Sequence, residues 1–225
     1  MGRAKLPRKS TNIDMTAMCD VAFLLLSFFI LATKFKPPEA LKVDTPNSVS
    51  TKVAPDKDLF LITIDKEGKV YVSVSDANAS EKSSIIDDLN TAKNLGLTPA
   101  EKANWTRNPS AYVGVPFSQL KAYLGKAPEQ VKDVKQGGIP AVDSTNNEMQ
   151  DWIRAAAAAF QGKKMNILLK GDDASKYPAF GGVIWALKKN EQLKFQIVTN
   201  ATQVPVGTEL YKKNVATGTV GSQGE

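Results

Sequence analysis

Residues 15–33, MTAMCDVAFLLLSFFILAT, decide what kind of protein this is. As a helix the stretch rises about 28 Å, close to the roughly 30 Å hydrocarbon core of a bilayer. Asp14 precedes it, Lys34 and Lys36 follow it, and Pro37 and Pro38 end the helix. Inside it lies one charged side chain, Asp20. Thr16, Asp20, Ser27 and Lys34 succeed one another at spacings of four, seven and seven, which gathers them on one face of the helix. A lone helix in lipid gains nothing from such a stripe, and an ionised aspartate within a span costs about 2.5–3.5 kcal/mol on insertion scales. The stripe therefore implies a partner, or a second copy, that shields Asp20 from hydrocarbon. A carboxyl so placed can be neutral against a dry surface and ionised where it meets water, which is what a proton-carrying site requires. The plainer alternative is that Asp20, five residues inside the stretch, only caps the first turn of an apolar helix.

The flanks refine this reading. Residues 1–12 carry Arg3, Lys5, Arg8 and Lys9 and no acid, so positive charge favours a cytoplasmic N-terminus with the bulk of the chain on the far side of the membrane. A basic segment before an apolar run is also the layout of a secretory signal peptide. Against cleavage, Leu31 and Phe35 flank Ala32 and Thr33 and spoil the small-residue pattern. A signal peptide also gives no reason for an acid directly before its apolar run. A lipoprotein signal fails because Cys19 precedes that run.

Composition removes several function classes. A charged fraction of 23% and a hydrophobic fraction of 42% are those of an ordinary globular domain of one or two units. The net charge of +6 is spread over many lysines with no basic stripe interleaved with aromatics, which argues against nucleic-acid binding. A single cysteine allows no internal disulfide and no multi-cysteine metal site. There is no histidine, the commonest general base, proton shuttle and metal ligand, so any proton chemistry falls to carboxylates. No cofactor or metal is expected. The paired acids Asp87–Asp88 and Asp172–Asp173 read as helix-terminal and turn carboxylates rather than catalytic groups.

Beyond the span, residues 35–58 are rich in Pro, Ser, Thr and Lys and read as an extended linker, within which Val43, Asp44, Thr45 and Pro46 can form a short edge strand. A folded domain is expected over residues 59–200. Residues 59–64 (LFLITI) and 70–74 (VYVSV) read as strands joined by a glycine-containing turn at 65–69. Residues 76–143 are mixed in character, with a helix expected at 80–90. Thr145 and Glu148 form a capping-box pattern before a helix whose Met149, Trp152, Ile153, Ala156 and Phe160 recur at helical spacing. A strand at 165–169, a helix at 177–190 and a strand at 195–199 follow. In that second helix Phe180, Val183, Ile184 and Leu187 face the sheet, and Gly181 and Gly182 permit close packing. The fold class is α+β: one N-terminal transmembrane helix at 13–34, a linker, then a small α/β sandwich with helices on one sheet face. After residue 200 the pattern fades into an expected mobile tail, 201–225.

The stretch from Asp14 through Thr16 and Asp20 into VAFLLLSFFILA resembles the membrane helix of the ExbD/TolR family of biopolymer-transport proteins. Thr16 and Asp20 match the family pattern residue by residue, while Ala17 stands where the family usually has proline. LFLITIDKEGKVYV resembles the family's first hairpin, and Val43, Asp44, Thr45 and Pro46 echo the motif of its linker. Residues 165–200, with Gly171–Asp172 at a strand end, are similar to its closing strand–helix–strand unit. Residues 76–143 have no counterpart in this resemblance and look like an insertion.

The resemblance implies a non-enzymatic transducer of the proton-motive force in the bacterial inner membrane, with a cytoplasmic N-terminus and a periplasmic domain. It implies a dimer within a pentamer of an ExbB/TolQ-like channel protein. It makes Asp20 the proton carrier, supported by Thr16 and Ser27 on the same face, and a TonB-like energy transducer or the cell wall the recipient of the work. Moving one charge through 100 mV supplies about 2.3 kcal/mol, enough to shift two packed states. Three other readings remain: a TolR-like subunit, a motility stator, and a periplasmic binding module tethered by a signal or anchor.

Overall fold

The computed structural model describes residues 15–32, 41–49, 55, 57–107, 112–126, 135–142 and 145–216. The chain divides into two compact units, Met1–Pro38 and Glu39–Glu225. In the first, helix α1 covers Met15–Ala32 and none of its residues is buried. It is long and apolar enough to cross a membrane. The remaining residues expected in the span, 13, 14, 33 and 34, lie outside the described residues.

The second unit is built on a four-stranded sheet. Strands β2 (Leu59–Ile64) and β3 (Val70–Val74) form the expected antiparallel hairpin, with Phe60 opposite Val74 and Ile64 opposite Val70. The turn is closed by Asp65, whose carboxylate accepts from the Glu67 and Lys69 amides, and by Gly68 at φ 81°. Strand β4 (Asn166–Gly171) adds parallel to β2, and β5 (Phe195–Val198) adds parallel to β4, giving the order β3-β2-β4-β5. Phe60, Ile62, Ile64, Val70, Val72, Val74, Ile167 and Leu169 share one apolar core with the helices. The protein is α+β with helices packed on the sheet, as expected.

The helices follow their apolar spacing. Helix α5, Met149–Ala159, buries Met149, Trp152, Ile153 and Ala156, and Phe160 just beyond its end is also buried. Helix α6, Tyr177–Lys189, buries Ala179, Val183, Ala186 and Leu187, while Phe180 and Ile184 pack at the margin of the core.

Residues 76–143 are more regular than their sequence suggests. A 3-10 turn at Asp76–Asn78 leads into α2 (Ala79–Lys93), followed by α3 (Pro99–Arg107) and α4 (Phe117–Leu124). Ile85, Ile86 and Leu89 of α2 are fully buried. Trp105 of α3 packs 5.8 Å from Trp152 of α5, and Phe117 of α4 stacks on the same indole at 6.0 Å. This segment therefore completes the main core. It also closes the β3 edge: Val72 and Val113 exchange backbone hydrogen bonds at 2.8 and 2.9 Å, and the Ile139 amide donates to the Val70 carbonyl.

Three expectations are corrected. The Thr145–Glu148 pattern does not cap α5: the N-cap is Glu148 itself, and it makes no side-chain cap hydrogen bond. Its carboxylate instead accepts from the Phe117 amide at 2.8 Å, at the N-terminus of α4. The linker strand is β1 at Asn47–Ser48, just after Val43, Asp44, Thr45 and Pro46. It pairs parallel with β6, Asn200–Ala201. Proline at position 46 has no amide to give a ladder, so regular pairing starts one residue later. Past residue 200, where the pattern fades, the structure places β6 and helix α7 (Glu209–Ala216). Residues 217–225 lie outside the described ones.

Candidate functional site

Two places carry the residues singled out by sequence, and they belong to different units. On α1, Thr16, Asp20 and Ser27 lie on one face by helical geometry, and Asp20 is the helix's only acid. The Ser27 hydroxyl donates to the Leu24 carbonyl at 2.9 Å, which satisfies it within its own helix. Cys19, directly before Asp20, is a free thiol. Eighteen residues at about 1.5 Å each make a helix of about 27 Å.

The second place is where the linker lies on the folded domain. Val43 and Thr45 are each 8% exposed, whereas Asp44 between them is exposed, so the segment alternates as a strand does. The Asp44 amide donates to the Asp172 carboxylate at 3.2 Å, and the Asp44 carbonyl accepts from the Asp173 amide at 2.9 Å. The Thr45 hydroxyl donates to Asn200 Oδ1, and Asn200 Nδ2 donates back to the Thr45 carbonyl, both at 2.8 Å. The Asn200 amide then reaches the Pro46 carbonyl and the Thr202 amide the Ser48 carbonyl, each at 2.9 Å. Asp172 is itself fixed, its amide donating to Ile64 and its Oδ1 accepting from Ala174. The structure thus joins the four linker residues to the end of β4 and to β6. The domain side of this contact has little local signal: Asn200 follows the apolar strand β5 with nothing nearby to mark it, and Asp172 reads from sequence as a turn carboxylate.

A polar cluster anchors the linker's far end. Asp58 has a left-handed φ of 53°. Its amide donates to Asn78 Oδ1 and its carboxylate accepts from Asn78 Nδ2, both at 2.9 Å. Asn78 also donates to Glu81, a buried carboxylate that accepts from Ser80 and pairs with Lys163. The Lys163 hydrogen bond, helped by Ser80 and Asn78, holds the Glu81 carboxyl down at about 2, against the burial that would raise it. Burial has the upper hand at Glu148, which is raised despite its bond from Phe117. Among the described residues no group of three or more His, Cys, Asp or Glu side chains is placed to hold a metal.

Among the described residues, one membrane-length helix and an α+β domain with a docked linker strand fit a single-pass membrane protein. Over residues 7–202 the chain matches the family described as biopolymer transport protein ExbD/TolR, and it belongs to that family. Neither the curated proteins nor the solved structures contain a match to it. The matched range runs through residues 76–143 and ends just after β6, before α7.

Proposed function

We propose that this protein is the proton-carrying subunit of an ion-driven inner-membrane motor that energises transport across the outer membrane. What carries the reading is one acid, Asp20, on a membrane-length helix of an ExbD/TolR chain. In this reading residues 1–12 are cytoplasmic, 13–34 span the membrane, 35–58 form a periplasmic linker, and 59–200 form the domain that hands on the work. Residues 76–143 are an insertion in that domain. Two copies of the helix sit inside a pentameric ExbB/TolQ-like channel protein, which shields Asp20 from lipid. Protonation and release at Asp20 drive relative rotation, with Thr16 and Ser27 supporting it from the same face. The linker at Val43, Asp44, Thr45 and Pro46 alternates between the docked state and a free one, and the domain engages a TonB-like transducer or the cell wall. The family description covers ExbD and TolR alike, so the channel partner determines which machine is served.

The test is Asp20→Asn in cells that depend on this subunit. Asparagine keeps the size and hydrogen-bonding ability of aspartate but releases no proton. The variant is expected to insert, assemble with the channel partner and fail in energised transport. Asp20→Glu is expected to retain partial function, because it displaces the carboxyl by roughly an ångström. Wild-type transport by Asp20→Asn would make the carboxylate a structural cap and end the motor reading.

A further inference from the structure

We infer that Asn200, with Asp172, is the receptor that selects and holds the linker, and that it reads a hydroxyl at position 45. The argument starts from how little regular pairing is present. Strands β1 and β6 meet over two residue pairs, with ladder bonds from Asn200 to Pro46 and from Thr202 to Ser48. So short a parallel pairing has no reserve, because parallel ladders are the weaker kind and Pro46 has no amide to return.

The side chain of Asn200 supplies what the ladder lacks. Its planar amide offers one acceptor and one donor side by side, as a strand backbone does, and both are used on the same residue. The acceptor takes the Thr45 hydroxyl, so valine at position 45 would leave Asn200 Oδ1 facing a methyl group at the same volume. An unmade bond in a part-buried contact costs more than the bond contributed. The donor takes the Thr45 carbonyl and is indifferent to the side chain. One residue earlier in the linker, the Asp44 amide donates to Asp172, whose carboxylate is oriented by its own turn after β4. Since the Asp44 side chain is exposed, the contact reads an apolar residue at 43 and a hydroxyl at 45, and it asks only for backbone at 44.

This inference rests on the proposed reading that the linker moves between docked and free states, but its test needs no energised membrane. In the full-length chain in lipid nanodiscs, amide exchange at Asn200 and Thr202 reports docking, and exchange at Ile62 and Leu169 reports the integrity of the sheet. Thr45→Val and Asn200→Ala are each expected to speed exchange at Asn200 or Thr202 by about fivefold to tenfold and leave Ile62 and Leu169 unchanged. Thr45→Ser, which keeps the hydroxyl, is expected to retain protection. The double variant is expected to be no worse than Asn200→Ala alone, because Asn200→Ala already removes the hydroxyl contact that Thr45→Val removes. Unchanged exchange in Thr45→Val, or equal loss in Thr45→Val and Thr45→Ser, would overturn the selection of a hydroxyl. Loss of docking in Thr45→Val alongside normal transport in cells would leave the receptor standing and remove the linker from the motor cycle.

Discussion

At the scale of single residues, the pair Gly181–Gly182 shows how adjacent positions of one type can do unlike work. A Cβ on Gly182 would fall 1.7 Å from the Ala141 carbonyl oxygen, a backbone atom that cannot step aside. The same crossing is tied by Asn147, whose amide donates to both the Ala141 and Gly182 carbonyls at 3.0 Å. A Cβ on Gly181 meets only the Tyr177 ring at 3.4 Å, and that side chain is 79% exposed and free to turn. Gly182→Ala is therefore expected to destabilise the domain by about 1–3 kcal/mol through overpacking. Gly181→Ala is expected to stabilise it by about 0.5–1 kcal/mol through helix propensity. Urea midpoints at unchanged slope measure both, and a shift of the same sign in the two variants would refute the distinction.

At the scale of elements, the Asp58–Asn78–Glu81–Lys163 cluster holds together the end of the linker, the start of α2 and the turn before β4. Its pH dependence has a definite sign. Glu81 is lowered from 4.5 to about 2 in the folded protein, so its contribution is complete above pH 4.5 and is lost as pH falls toward about 2. Removing the cation with Lys163→Met raises that carboxyl and leaves it buried without its strongest partner. Wild type is thus expected to lose more stability than Lys163→Met between about pH 5 and about pH 2, read as the shift in denaturant midpoint. Parallel acid profiles for the two proteins would show that the pair contributes nothing specific. A second element-level device is the closure of the β3 edge by Val113 and Ile139, which leaves β5 as the outer strand at the opposite edge of the sheet.

At the scale of the whole molecule, the proposed topology and copy number are open to direct measurement. With Cys19 replaced by serine, a Ser50→Cys variant in intact spheroplasts is expected to react with a membrane-impermeant thiol reagent, and a Ser10→Cys variant to be protected. The reverse pattern would invert the orientation. Purified with its channel partner, the protein is expected to contribute two copies to the complex, because the polar stripe of α1 needs a polar surface to face. Mass photometry that finds one copy per complex would remove the dimer from the mechanism.

The features set by local periodicity could be read from the sequence alone. The unbroken apolar run gave α1, β-prone residues at 59–64 and alternation at 70–74 gave the β2–β3 hairpin, and helical spacing from Met149 to Phe160 gave α5 and its buried face. Each depends on neighbours only a few residues away, and so does the placing of Asp20 within an apolar helix. The features that only the tertiary structure decided join residues far apart in the chain. Glu148 fits a capping box for its own helix by sequence, yet its carboxylate accepts from the first amide of α4, thirty-one positions back, a donor that only the tertiary fold brings to it. Asn200 meets Thr45 across 155 positions, and no local rule connects an asparagine two residues past β5 to a threonine in a linker. In the segment 76–143 only the helix at 80–90 is legible locally; α3 and α4 are nine and eight residues long, and packing of Trp105 and Phe117 on Trp152 of α5 stabilises them, a partner not contained in their own sequence.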